Sequence, residues 1–310
     1  MDFLFIILGL VLLVFGGDWL LKAAVGMSLR LNISKIVIGM TVVSFATSAP
    51  ELIVSVKSAM AGFPDIALGN VVGSNIANIG LILGLVMIIS KMKVDESFFK
   101  TDWPAMIVAS FILFGILLYD GEISRIEGFV LFFLIIAFVV YLVKSQKNKE
   151  EIEIPLEETM EMYKIIGFLV VGGAALYGGS EFLIKGAVNV AQAFGVSDRV
   201  IAVTVVAIGT SIPELAASLI AAIKKESSIS IGNVLGSNIF NILSVLGLTA
   251  IIHPIKLVDN RLLTFDIYWM LGFSLILLPL VYMPQKGFLD RKAGVILLAS
   301  YILFVYLTFA

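Results

Sequence analysis

Val37-Ile38-Gly39-Met40-Thr41-Val42-Val43-Ser44-Phe45-Ala46-Thr47-Ser48-Ala49-Pro50-Glu51-Leu52 returns later in the chain. It reappears as Val200-Ile201-Ala202-Val203-Thr204-Val205-Val206-Ala207-Ile208-Gly209-Thr210-Ser211-Ile212-Pro213-Glu214-Leu215. A second block, Gly69-Asn70-Val71-Val72-Gly73-Ser74-Asn75-Ile76-Ala77-Asn78, returns as Gly232-Asn233-Val234-Leu235-Gly236-Ser237-Asn238-Ile239-Phe240-Asn241. The offset is 163 residues in both blocks, from Glu51 to Glu214 and from Asn78 to Asn241, without a gap. Each copy sets a glutamate, hydroxyls and amides inside apolar sequence, where polar groups are costly and mark a functional site by default.

Composition supplies the setting. The 310 residues are 60% hydrophobic and 14% charged, with a mean hydropathy of +1.07, which describes a membrane protein rather than a soluble domain. A net charge of −2 gives no sign of a nucleic-acid partner. Cysteine is absent, which excludes disulfides and thiolate metal sites. The first apolar stretch is too long for a signal-peptide core, lacks a basic leader and carries Asp18, so it reads as a retained helix.

Apolar runs of about 20 residues suffice to span a bilayer. Ten occur, approximately over 3–27, 34–60, 65–90, 102–119, 126–144, 164–192, 198–223, 227–252, 262–283 and 289–309. The one long polar interruption, Lys144 to Glu161, divides them five and five and reads as a solvated linker. The expected domains are therefore a five-helix repeat over 1–144, a charged cytoplasmic linker over 145–161, and a second repeat over 162–310. The repeat also reaches upstream, pairing Gly16 with Gly179, Asp18 with Glu181 and Lys22 with Lys185. Five is odd, so the second repeat enters the membrane from the opposite side. The fold class is an all-α integral membrane protein with ten transmembrane helices as two inverted five-helix repeats.

Charge placement orients it. With both termini outside, only Lys57, Arg125, Lys185, Arg199, Lys256 and Arg261 of the 21 basic residues lie on the outer side. The rest, including Lys144, Lys147 and Lys149, lie inside, as the positive-inside rule requires. The expected localisation is a multi-pass cell-membrane protein with extracellular termini and a cytoplasmic linker.

Pro50 has no N–H for the carbonyl of Ala46, so the helix bends or breaks there, and Pro213 and Gly209 do the same in the second copy. Freed carbonyls within a bilayer are tolerated where protein or a bound ion satisfies them. Ser44, Thr47, Ser48, Glu51 and Ser55 share one helical stripe. Asn70, Ser74 and Asn78 lie four apart, as do Asn233, Ser237 and Asn241, beside Gly69, Gly73, Gly232 and Gly236, whose small-xxx-small spacing lets membrane helices approach closely. These groups offer oxygens, the ligands hard cations such as Ca²⁺ and Na⁺ prefer. An inverted pair of broken helices meeting at mid-membrane is how many secondary transporters build a substrate site.

The doubled Thr-Ser-x-Pro-Glu and Gly-Asn-x-x-Gly-Ser-Asn-x-x-Asn segments resemble the α-repeats of the sodium/calcium exchanger family, within the cation/Ca²⁺ exchanger superfamily, over essentially the whole chain. The resemblance implies that Glu51 and Glu214 are the central Ca²⁺-binding carboxylates, with the backbone carbonyls of Thr47 and Thr210 completing the shell. It implies sodium sites on Ser48 and Ser74 on one flank and Ser211 and Ser237 on the other, joined by the carbonyls of Ser44 and Ala207. Asn78 and Asn241 would face the middle of the site. Relatives often have Gly where Ala46 stands, and some carry Asp at one of the two Asn positions. This chain has Asn at both, which leaves two site carboxylates and implies no K⁺ requirement.

The implied function is a secondary antiporter exchanging Na⁺ for Ca²⁺ by alternating access, with three Na⁺ per Ca²⁺ and no cofactor. A Ca²⁺/H⁺ antiporter using the same two glutamates is the alternative, and the flanking serines favour Na⁺. A channel would ordinarily assemble identical subunits around a pore. An intramembrane enzyme or ATP-driven pump would need a motif such as His-Glu-x-x-His or a phosphate loop, and the sequence has neither. The expected partners are the two ions and the lipid bilayer, with no obligate protein partner evident. The serines and Asn78 and Asn241 also read as interhelical hydrogen-bonding groups worth about 0.6 kcal/mol each, and Asn70, Asn75, Asn233 and Asn238 do so equally well. Asp18 and Glu181 read as (i, i+4) partners of Lys22 and Lys185 rather than ligands.

Overall fold

The computed structural model describes residues 2–146, 160–194, 209–282 and 287–309. Among the described residues the apolar runs are helical, because within a bilayer a helix satisfies its own backbone. The first half holds α1 (Asp2–Leu31), α2 (Lys35–Thr47), α3 (Ala49–Met60), α4 (Pro64–Ile89), α5 (Phe98–Tyr119) and α6 (Arg125–Gln146). The second holds α7 (Met162–Ala193), α8 (Ile212–Ile223), α9 (Ser227–Ile252), α10 (Leu262–Tyr282) and α11 (Arg291–Phe309). Helices α2 and α3 form one span bent by 45°. Nine of the ten expected spans are thus present whole among the described residues. The tenth is represented by α8, and its leading part, the counterpart of α2, lies outside them.

Repeat-related helices run antiparallel. A methyl added at Gly9 of α1 would lie 2.7 Å from the backbone N of Leu183 of α7, and one at Gly16 would lie 2.9 Å from that of Leu176. Conversely, Gly172 abuts Leu20 and Gly179 abuts Leu13. Gly9 and Gly172, like Gly16 and Gly179, are 163 residues apart, so the crossing maps onto itself under a two-fold rotation. Four glycines let these two backbones touch, which larger residues would prevent.

Two short ribbons repeat the same exchange between halves. β1 (Met92–Lys93) pairs with β4 (Phe288–Leu289), and β2 (Glu122–Ile123) pairs with β3 (Ile255–Lys256), both antiparallel. The fold is therefore all-α, with the two halves inverted about an axis in the membrane plane. Helices α4 and α9 are the most buried, whereas α6 and α11 are the least buried and lie at the periphery of the bundle.

The close-approach reading of the second-block glycines holds for Gly232 and Gly236. An added methyl there would strike the backbones of Ile36 and Met40, and at Gly236 also the Ser44 hydroxyl. Gly69 and Gly73 have no described atom within 4 Å. By the repeat, their counterpart neighbours are residues 199, 203 and 207, which lie outside the described residues.

Candidate functional site

The bend between α2 and α3 falls at Ser48 (φ −84°, ψ 5°), and the start of α8 repeats it at Ser211 (φ −89°, ψ 3°). Pro50 and Pro213 thereby sit in the first turn of a new helix, where a missing N–H costs nothing. Glu51 and Glu214 also fall in that first turn, where the partial positive charge of a helix N-terminus favours a carboxylate. Both are fully buried.

Helices α4 and α9 carry the second block across these breaks. In each, a π-helical stretch begins at the last asparagine of the block, over Asn78–Leu83 and Asn241–Leu246. Such stretches recur at functional sites, and no local residue pattern signals them. Ser44, Thr47, Ser48, Ser74, Asn78, Ser211, Ser237 and Asn241 are all buried, and Thr210 is partly so. Ala207 lies outside the described residues.

Asparagines stitch each break to the opposite half. Thr47 Oγ1 donates to Asn233 Oδ1 at 3.2 Å, and Asn233 Nδ2 donates to the Glu214 carbonyl at 3.4 Å and Ser218 Oγ at 2.9 Å. The mirror set has Thr210 Oγ1 donating to Asn70 Oδ1 at 3.4 Å, and Asn70 Nδ2 to the Glu51 carbonyl at 3.3 Å and Ser55 Oγ at 3.1 Å. Thus Asn70, Asn233, Ser55 and Ser218 frame the site, whereas by sequence alone the asparagines read equally well as interhelical links. Their signal was exact duplication within a membrane span.

The halves also meet directly, since Ser48 Oγ donates to Glu214 Oε1 at 3.1 Å. The Ser44 carbonyl, expected at a sodium site, accepts from Ser48 N at 2.9 Å and from Thr47 Oγ1 at 3.3 Å. Thr47 has one hydroxyl hydrogen, so it serves either this carbonyl or Asn233 Oδ1, and the second lone pair of the Ser44 carbonyl is open whenever Thr47 donates to Asn233.

Nine buried side-chain polar atoms among the described residues have no hydrogen-bond partner, and seven of them lie here. They are both carboxylate oxygens of Glu51, Glu214 Oε2, Ser211 Oγ, Ser237 Oγ, Asn78 Oδ1 and Asn241 Oδ1. All seven are oxygens, and all can accept. Buried polar groups are rarely left unpaired, and a set of oxygens around two carboxylates suits a hard cation. No group of three or more His, Cys, Asp or Glu gathers among the described residues, so neutral oxygens must supply most of any coordination shell.

A family model, the sodium/calcium exchanger protein, matches residues 1–144 and 164–310. The chain belongs to the sodium/calcium exchanger family. It is 32% identical over 347 residues to the sodium/calcium exchanger MaX1 of Methanosarcina acetivorans, covering 99% of this chain and 98% of that one. It is 35% identical over 311 residues to the inner membrane protein YrbG of Escherichia coli K12, covering 97% and 94%. Its fold matches the sodium-calcium exchanger NCX_Mj, in crystals soaked with 2.5 mM Na⁺ and 0.1 mM Ca²⁺, with a TM-score of 0.84, 31% identity, and coverage of 98% and 97%. The family is one of transporters, not enzymes, and the chain is a multi-pass membrane protein.

Of the outlying acids, Asp18 forms the expected pair with Lys22 at 2.9 Å and a second with Lys224. Lys185 instead sits over the Phe5 ring at 4.9 Å, and Glu181 pairs with no cation among the described residues.

Proposed function

We propose that the protein is a secondary antiporter that exchanges Na⁺ for Ca²⁺ by alternating access. The observation that carries this reading is the set of seven unpartnered buried oxygens contributed by both halves. Ca²⁺ would lie between Glu51 and Glu214, with the carbonyls of Thr47 and Thr210. Flanking Na⁺ sites would use Ser48 and Ser74, and Ser211 and Ser237, with Asn78 and Asn241 facing the centre. The carbonyl of Ala207 belongs to the same proposal, as does that of Ser44, whose second lone pair is open to an ion when Thr47 donates to Asn233.

No cofactor enters this reading, since the ions are the substrates. Residues 1–144 and 162–310 form the two repeats, joined by a cytoplasmic linker over 145–161, with both termini outside. A cysteine placed in the linker would then react with an impermeant reagent only from the inside, against a background free of native cysteine.

Two carboxylates neutralise one Ca²⁺. Replacing it with one central and two flanking Na⁺ leaves one surplus positive charge, so exchange at three to one is electrogenic. Moving that charge is worth about 2.3 kcal/mol per 100 mV.

The test is ⁴⁵Ca²⁺ uptake into proteoliposomes under an outward Na⁺ gradient or an outward H⁺ gradient. The Na⁺ gradient should drive uptake, with a reversal point that shifts with membrane potential. Uptake driven by H⁺ alone would overturn Na⁺ coupling in favour of Ca²⁺/H⁺ antiport. A reversal point insensitive to potential would overturn the three-to-one ratio.

A further inference from the structure

We propose that Asn75 and Asn238 are positioning residues that set which end of the Asn241 and Asn78 side-chain amides faces the ions. The inference rests on the cation site proposed above. It concerns a feature no ligand assignment explains, namely why two amides that could present NH₂ to the site present oxygen instead.

Main-chain carbonyls can only accept. Asn75 lies 3.1 Å from the carbonyl of Asn238, and Asn238 lies 3.3 Å from the carbonyl of Asn75. Each contact therefore requires the Nδ2 end of the side chain. That choice fixes the opposite end. Asn75 Oδ1 accepts from Asn241 Nδ2 at 3.1 Å, and Asn238 Oδ1 accepts from Asn78 Nδ2 at 2.9 Å. With their NH₂ groups held this way, Asn241 and Asn78 turn Oδ1 to the other side, where both atoms are buried without a partner.

Orientation thus passes from a backbone carbonyl, through one asparagine, to the oxygen of another. All four side chains are at most 1% exposed, so water does not offer the amides another partner. Asn75 Nδ2 and Asn238 Nδ2 also donate to the weakly accepting sulfurs of Met270, at 3.9 Å, and Met106, at 3.8 Å. Flipping Asn75 would set its Oδ1 against the Asn238 carbonyl and its NH₂ against the NH₂ of Asn241. Two acceptors would then meet, and two donors would meet beside them. The arrangement crosses between halves, so each repeat orients the other's ligand.

The relay makes a prediction that packing alone does not. An aspartate at 241 presents oxygen whichever way it turns, so it has no need of Asn75 to choose. The experiment measures the half-saturating Ca²⁺ concentration in proteoliposomes for wild type, N75L, N241A, N75L/N241A, N241D and N75L/N241D. Size-exclusion profiles confirm folding, and N75A replaces N75L throughout if the leucine variant does not fold.

N75L should raise the half-saturating concentration about ten-fold, equivalent to about 1.4 kcal/mol, with little change in maximal rate. In the N241A and N241D backgrounds it should have almost no further effect. An equal loss from N75L in all three backgrounds would overturn the relay while leaving the site reading intact. No effect of N241A by itself would remove Asn241 from the site, and the relay with it.

Discussion

Glu51 and Glu214 occupy the same turn of the same broken helix in the two halves, yet their carboxylates are held differently. Glu214 accepts from Ser48, whereas neither oxygen of Glu51 has a partner, and Ser211, the counterpart of Ser48, has none either. The contrast grows with distance from the membrane centre. Asp18 is clamped by Lys22 and Lys224, while its counterpart Glu181 has no ion pair among the described residues. Lys35 reaches Glu226 across the halves at 2.8 Å, but the equivalent positions hold Asp198 and Phe63. The duplicated centre retains the chemistry both halves must share if, as proposed, one ion touches both. The ends touch opposite faces of the membrane and have diverged in charge.

The largest expected effect tests the shared centre. Glu51→Gln and Glu214→Gln should each reduce ⁴⁵Ca²⁺ transport at least 100-fold while the protein elutes as folded. A divalent ion leaving water needs both negative charges, and neither half supplies a second acid to the site. Substantial Ca²⁺ transport in either folded variant would break the equivalence of the halves.

A smaller effect sharpens the difference between them. Ser48→Ala removes a hydrogen bond to a carboxylate, which is worth about 1.5–3 kcal/mol, whereas Ser211→Ala removes a hydroxyl without a side-chain partner. Half-saturating Ca²⁺ should therefore rise about ten-fold in the first and clearly less in the second. Equal shifts would show that the Ser48–Glu214 contact carries no energetic weight in the exchanging protein.

The smallest effect lies at an end. Gly62 and Lys225 occupy the same turn after α3 and α8, at φ +87° and φ 63°. A lysine in this left-handed region costs about 1–2 kcal/mol, a cost glycine avoids. Lys225→Gly should raise the thermal midpoint in detergent by a few degrees and leave Ca²⁺ affinity unchanged. A lower midpoint would mean that the Lys225 side chain contributes more than its backbone costs.

Much of this organisation was legible in the residues. Hydropathy located the spans because a bilayer leaves the backbone few alternatives. The offset of 163 implied the duplication and the odd count of five spans per half its inversion, and Pro50 with Pro213 marked the breaks to within two residues of Ser48 and Ser211. The π-helical turns at Asn78 and Asn241 were not legible, because they depend on packing between the halves rather than on local propensity. The placing of Asn75 was not legible either. It lies one residue from Ser74, off the Asn70–Ser74–Asn78 stripe, and its partners sit on the opposite repeat. For Glu181 the (i, i+4) spacing suggested a pair with Lys185, but the lysine found an aromatic ring instead.

The central claim is that two inverted halves build one Ca²⁺ site rather than two. Titration calorimetry of the purified protein in Na⁺-free buffer tests it most directly, by counting Ca²⁺ bound per chain. The account predicts one Ca²⁺, with binding lost in both Glu51→Gln and Glu214→Gln. Two Ca²⁺ per chain, or one retained at undiminished affinity when either glutamate is neutralised, would contradict it.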